Sequence, residues 1–105
     1  MGISEQFVLG KKPLRVYLAG PIQGVAAYPL YFSMGANRLR EEGHEVYNPA
    51  AANQEGRALK DIMKHLLPQL CECEAIALLP GWWKSGGARI EWLLAKYLKL
   101  KVIYL

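Results

Sequence analysis

Glu91 closes the segment Ser85-Gly86-Gly87-Ala88-Arg89-Ile90-Glu91, and a carboxylate near a glycine-led helix start can attack or stabilise an electron-poor carbon. Gly86 and Gly87 let the chain turn tightly into that helix, whose first N–H groups suit an anion. A second glycine-punctuated loop, Gly20-Pro21-Ile22-Gln23-Gly24, follows an apolar run, and its bare backbone can also aim N–H groups at an anion. It lacks the Gly-x-Gly-x-x-Gly spacing of a dinucleotide site. Plainer readings compete: Gly-Pro after a strand makes an ordinary turn, and a glutamate in a first helical turn complements the helix dipole by a few tenths to ~1 kcal/mol. Trp82 and Trp83 can stack on a nucleobase or anchor a homodimer interface. Asp61, the only aspartate, reads as a surface charge unless its helix starts near the crevice.

The chain of 105 residues carries 13 Lys and Arg against 9 Asp and Glu, a formal charge of +4. That surplus helps an anionic ligand arrive. The basic residues are scattered, with one tight pair at Lys11-Lys12, so a nucleic-acid interface is not expected. An apolar fraction of 52% and a charged fraction of 21% argue against a disordered chain and allow one core. Cys71 and Cys73 suit neither a disulfide nor zinc, and read as small buried hydrophobes in a reducing compartment. The two histidines have no partners at ligand spacing, so no metal and no redox cofactor is expected. No apolar run approaches the ~20 residues of a membrane span, and residues 1–13 lack a signal-peptide core. The expected compartment is the cytoplasm, without a membrane partner.

These residues need elements to hold them. Residues 1–13 read as a flexible lead-in, and 14–105 as a single domain. Leu14–Gly20 has a strand pattern closed by Gly-Pro. A helix is predicted from Tyr28 to Glu42, with Phe32, Ala36 and Leu39 on one face and Gly43 as its stop. Glu45–Asn48 is a short strand ended by Pro49, followed by a polar loop over 50–54. Leu59, Ile62, Met63, Leu66, Leu67 and Leu70 form one helical stripe, which Pro68 should kink or restart. Ala75–Leu79 suits a strand buried on both faces. After a Gly- and Trp-rich loop comes a last helix whose predicted core face is Ile90, Leu93, Leu94, Tyr97 and Leu98. That leaves Glu91 and Ala95 on the flank towards the sheet end. Lys101–Leu105 is a final strand.

Alternating strands and helices predict an α/β fold, a four-stranded parallel sheet with helices on both faces. Its expected order is 2-1-3-4, flavodoxin-like or Rossmann-like. Strands 1 and 3 are then neighbours whose following loops diverge, and ligands bind at such a switch point. The two loops are Gly20–Tyr28 and Pro80–Gly87, the most glycine-punctuated parts of the chain.

The segments Val16–Ile22, Gly43–Pro49, Cys73–Trp82 and Ser85–Glu91 together resemble the nucleoside 2-deoxyribosyltransferase-like superfamily, and within it a group of short bacterial and phage proteins. The resemblance spans roughly residues 14–105. Known members include 2-deoxyribosyltransferases and 2′-deoxynucleoside 5′-phosphate N-hydrolases, in which a glutamate after the third strand attacks the anomeric carbon. By resemblance that glutamate is Glu91. Ser85 stands where transferases carry aspartate and the phosphate hydrolases serine, which leans towards hydrolysis. Glu74 replaces an aspartate that orients or protonates the base. Gln23 replaces an arginine of the phosphate hydrolases, leaving backbone N–H groups with Arg89 or Lys84 for a phosphate. The resemblance implies substrate contacts from Tyr17, Gly20, Pro21, Ile22, Gln23 and Gly24 in the first half. In the second it implies Asn48, Trp82, Ser85, Gly86, Gly87 and Arg89. It also implies at least a dimer, because family sites are often completed by a neighbouring subunit.

N-glycoside cleavage passes through an oxocarbenium-like state that a carboxylate can capture, while the leaving base needs a proton. The expected activity is therefore an N-glycosidase of nucleosides or nucleoside 5′-monophosphates, hydrolytic or transferring. Glu91 would be its nucleophile, with Glu74 or Asp61 assisting the base. A non-catalytic nucleotide-binding module is the alternative. A third reading is a phage-type interaction protein using Trp82, Trp83 and Trp92.

Overall fold

The computed structural model describes residues 13–51 and 57–105. All of the lead-in but Pro13, and residues 52–54 of the polar loop, lie outside the described residues. The elements in chain order are β1 (Arg15–Ala19), α1 (Tyr28–Glu41), β2 (Glu45–Tyr47), a 3-10 turn (Pro49–Ala51) and α2 (Leu59–Cys71). They continue as β3 (Ala75–Leu78), a 3-10 turn (Trp82–Lys84), α3 (Gly86–Tyr97) and β4 (Lys101–Tyr104). Every strand pairing is parallel, and the order is β2-β1-β3-β4, as the alternation of elements predicts.

The central strands are apolar on both faces because both faces are covered. Val16 and Leu18 join Phe32, Ala36 and Leu39 of α1 on one side. Tyr17, Ala19, Ile76 and Leu78 meet Ile62, Leu66 and Leu70 of α2 and Ala88 and Ala95 of α3 on the other. One face thus carries one helix and the other two. α1 ends where expected, with Gly43 at φ +93° carrying the chain out of the helix.

Three expectations are corrected. α2 runs through Pro68 as one helix from Leu59 to Cys71. Pro68 sits on its exposed side three residues from the end, so the missing N–H costs one hydrogen bond and no core contact. Cys71 is exposed, and only Cys73 is buried, because the last turn of α2 presents the former to solvent.

The third correction is the rotation of α3. Its buried residues are Ala88, Glu91 and Ala95, while Ile90, Leu93, Tyr97 and Leu98 are 46%, 63%, 82% and 42% exposed. Two alanines let the helix lie close on the sheet, and of the expected stripe only Leu94 packs against the core while the rest faces outward. Amphipathic periodicity locates a stripe but not the side it is turned to.

The strand ends are tightly packed where β1 and β3 meet. A Cβ on Gly20 would lie 2.9 Å from both Leu79 Cβ and Leu79 Cδ1. Gly86, by contrast, has open space around it. Urea denaturation should therefore show Gly20→Ala less stable by about 1–3 kcal/mol, from overpacking against a short, stiff neighbour. Gly86→Ala should be neutral or more stable by up to ~1 kcal/mol. Equal effects at both positions would contradict this packing.

Candidate active site

Glu91 is the sixth residue of α3 and only 5% exposed, so it lies beyond the first turn and points into the sheet. A buried carboxylate needs a partner. The hydroxyl of Tyr17, in the middle of β1 and fully buried, donates to Glu91 Oε2. Tyr17 is itself held by Tyr47, whose ring stacks on it at 5.6 Å between centroids and 15° between planes. The parallel register pairs Tyr17 with Tyr47 and so puts both rings on one face of the sheet.

Burial dominates the chemistry of this pair. Loss of solvation raises the Glu91 carboxyl from the ordinary 4.5 to about 7, with the Tyr17 hydrogen bond pulling the other way. Tyr17 moves far upward, first by burial and then by the Glu91 charge, so its phenol stays protonated and remains a donor. Near neutral pH the site therefore holds a carboxyl divided between its acid and its anion. That is a range useful to a nucleophile or an acid–base group.

Glu91 opens onto a cavity of about 790 Å³ beyond the carboxyl ends of β1 and β3, the predicted switch point. That volume lies in the range of small-molecule sites. Gly20, Pro21, Ile22 and Gln23 form one wall; Ser85, Gly86, Gly87 and Ala88 form another. Ile62, Met63 and Leu66 of α2 supply an apolar side, and Arg57 and Lys84 bring positive charge. Ser85 caps α3, its Oγ accepting from Ala88 N at 3.2 Å and its carbonyl from Arg89 N at 3.0 Å. The Gly86 and Gly87 N–H groups then remain at the cavity wall. Left-handed φ values fall at Gly24 (+76°) and Gly81 (+81°), whereas Gly86 and Gly87 are helical. The glycines that shape the turns are thus the outer ones of the two loops.

The structure separates other expected site residues from Glu91. Glu74 precedes β3, at the opposite end of the sheet, where its Oε1 accepts from Arg15 N at 3.0 Å. It fastens the start of β1 and lines a different cavity with Arg15, Glu45 and Glu72. Asp61 is exposed in the first turn of α2, whose start does approach the site through Leu59 and Ile62, while Asp61 faces away. The pairing of Glu91 with either carboxylate is not met, because each lies on an element surface that the fold turns elsewhere. Asn48 closes a local turn through its Oδ1, which accepts from Ala50 N at 3.0 Å. Trp82 packs on Trp92 at 5.4 Å and on the α2–α3 core rather than in the cavity. Arg89 is exposed, and Gly24 and Arg89 do not line the cavity.

Conversely, Arg57, Val25, Lys84 and the apolar side of α2 do line it. Tyr47 supports it from behind. Arg57 carries no motif; only the approach of the α2 start to both loops places it there. Tyr47 was findable from the alternation of β2 once its register with β1 is known. Among the described residues no group of three His, Cys, Asp or Glu is placed to hold a metal ion, and no helix is long and apolar enough to cross a membrane.

A family model described as a domain of unknown function, DUF4406, matches residues 14–104 of the chain. No curated protein matches it.

The folded protein holds the Glu91 proton more tightly than the unfolded chain does, so this group's stability is full below about pH 4.5 and declines as pH rises to about 7. Glu91→Gln keeps an acceptor for Tyr17 and cannot ionise. Its thermal stability should match the wild type at low pH and exceed it at pH 8 by roughly 3 kcal/mol. A constant difference across that window would show that Glu91 does not titrate there. Tyr17→Phe removes the bond that holds Glu91 down, so a carboxyl NMR titration should move upward from about 7, with a stability loss of about 1–3 kcal/mol.

Proposed function

We propose that this chain, a member of the DUF4406 family, is an N-glycosidase acting on nucleosides or nucleoside 5′-monophosphates, of the nucleoside 2-deoxyribosyltransferase-like type. The observation that carries the reading is the buried, Tyr17-bonded Glu91 at the base of a switch-point cavity. Three of the four segments that resemble the superfamily supply residues to the cavity wall: Val16–Ile22, Cys73–Trp82 and Ser85–Glu91.

Tyr17 positions one carboxylate oxygen, and the other is presented to the anomeric carbon. As the anion, Glu91 attacks that carbon and the C–N bond breaks. The bonding pair leaves with the base, which takes a proton from water in the cavity. A second water attacks the same carbon, releases the sugar with a new hydroxyl, and restores the carboxylate while its proton passes to solvent. Another acceptor in place of that water would give transfer. Arg57, Lys84 and the Gly86 and Gly87 N–H groups lie where a 5′-phosphate would meet positive charge, in place of the arginine that Gln23 replaces. Nucleosides and their monophosphates are cytoplasmic solutes, and this reading assigns the protein there.

One observation favours a nucleotide-binding module as the second reading. Among the described residues lining the cavity, Glu91 is the only carboxylate, so no second one is at hand to protonate a leaving base.

Incubation with deoxynucleosides, ribonucleosides and their 5′-monophosphates, followed by chromatography for free base, tests both. The expected result is base release that rises with pH through about 7, as Glu91 ionises, and falls roughly a thousandfold or more in Glu91→Gln. Release undiminished in Glu91→Gln would remove Glu91 from the mechanism. Thermal stabilisation by a monophosphate that is never cleaved would establish the binding module instead. Arg57→Ala and Lys84→Ala should each raise KM for a monophosphate about tenfold and leave a free nucleoside unaffected.

A further inference from the structure

Breaking a bond between a sugar and a nucleobase hands the nucleobase an electron pair. A neutral nucleobase then leaves as an anion unless an acid protonates it. Among the described residues lining the cavity, Glu91 is accompanied by no second carboxyl and no imidazole. The Tyr17 hydroxyl is already committed to Glu91 Oε2.

The charges of the cavity lie at opposite ends. Glu91 is buried at its floor, whereas Arg57 and Lys84 are exposed. A 5′-phosphate drawn to the two cations sets the sugar over Glu91 and leaves the ring against Ile62, Met63 and Leu66, which are buried and apolar. This wall reaches the start of α3: Met63 Sδ and Leu59 Cδ1 lie 3.8 and 3.9 Å from where a Cβ on Gly87 would stand. Such a surface cannot solvate a departing anion.

We propose that the preferred substrates are cationic N-glycosides: nucleoside 5′-phosphates whose base already carries a positive ring nitrogen, as pyridinium and N7-alkylated purine nucleotides do. The inference rests on the N-glycosidase reading and narrows its substrate class. The Glu91 carboxylate attacks the anomeric carbon and the C–N bond breaks. The bonding pair returns to the ring and cancels its charge, so the base departs neutral and takes up no proton. Water then attacks the same carbon, the sugar leaves with a new hydroxyl, the carboxylate is restored and one proton passes to solvent. A cationic ring also suits the state of Glu91. Burial raises that carboxyl to about 7, so a neutral ligand finds it only partly ionised at neutral pH. A positive ring within about 4–6 Å favours the anion, so the substrate ionises its own nucleophile.

Chromatography for free base tests this with nicotinamide mononucleotide, nicotinamide adenine dinucleotide and 7-methylguanosine 5′-monophosphate against the neutral uridine, cytidine and thymidine monophosphates. The cationic set should have the higher kcat/KM by at least about a hundredfold, the usual contribution of the acid that is missing. With nicotinamide mononucleotide, kcat should hold down to about pH 6, because the bound ring keeps Glu91 ionised. Reduced nicotinamide mononucleotide has the same shape and an uncharged ring. It should remain uncleaved and inhibit with a constant at least about tenfold above the KM of the oxidised form. Cleavage of 7-methylguanosine monophosphate alone would support the class and assign the alkylated purine as its source. Neutral monophosphates cleaved as fast as the cationic set would overturn this inference and leave the N-glycosidase reading standing. A reduced form that binds as tightly as the oxidised one would also overturn it. Absence of cleavage throughout the panel would overturn both.

Discussion

A carboxyl group buried under a sheet is costly unless something bonds to it, and the Glu91–Tyr17 hydrogen bond meets that need in the centre of this molecule. Much of the surrounding structure serves it. Tyr17 reaches Glu91 only because β1 is central and its register with β2 sets Tyr47 against the phenol ring. Ala88 and Ala95 bring α3 near enough to the sheet for a glutamate to span the gap. Ser85 fixes where that helix begins, and hence where Glu91 falls along it.

Turning Glu91 inward has a consequence on the far side of the same helix. Side chains on a helix surface are locked in relative angle, so burying positions 88, 91 and 95 drives positions 90, 93 and 97 outward. Apolar residues that would otherwise stabilise the core are left in water. The rotation of α3 thus places one ionisable group against the sheet where Leu93 and Tyr97 would otherwise be buried. Such a trade is common at functional sites.

The cavity owes its shape to close approach elsewhere. Gly20 lies against Leu79 where a side chain would not fit, and Gly81, in a left-handed conformation, turns the second loop beside Pro21, so that a Cβ added there would lie 4.0 Å from Pro21 Cγ. The two loops diverge from adjacent strand ends, and α2 comes up between them with apolar residues and Arg57. An apolar wall, a positive rim and one buried acid suit a small ligand with a hydrophobic ring and an anionic or polar end.

Much was legible in the chain alone. Apolar runs at Val16–Ala19 and Ala75–Leu79, separated by helical stripes and glycine stops, determined the parallel sheet and its order. With the order came the switch point, because handedness leaves few ways to connect such strands. The two glycine-punctuated loops stand out by composition alone, whereas Glu91 stands out by resemblance, because a glutamate near a helix start is otherwise an ordinary complement to the helix dipole. Other features were decided by packing. Periodicity marks an apolar stripe without saying which side of it meets the sheet, so it predicts Leu93 in the core and Glu91 on a flank, where the structure has Leu93 in solvent and Glu91 buried. Glu74 and Asp61 carry the right chemical group, yet which end of a strand or side of a helix they occupy depends on register and rotation. Arg57 and Tyr47 join the site through contacts far apart in sequence. Residue type determined what chemistry the chain can perform; only the tertiary structure decided which groups share one cavity, because that depends on how helices turn against a sheet.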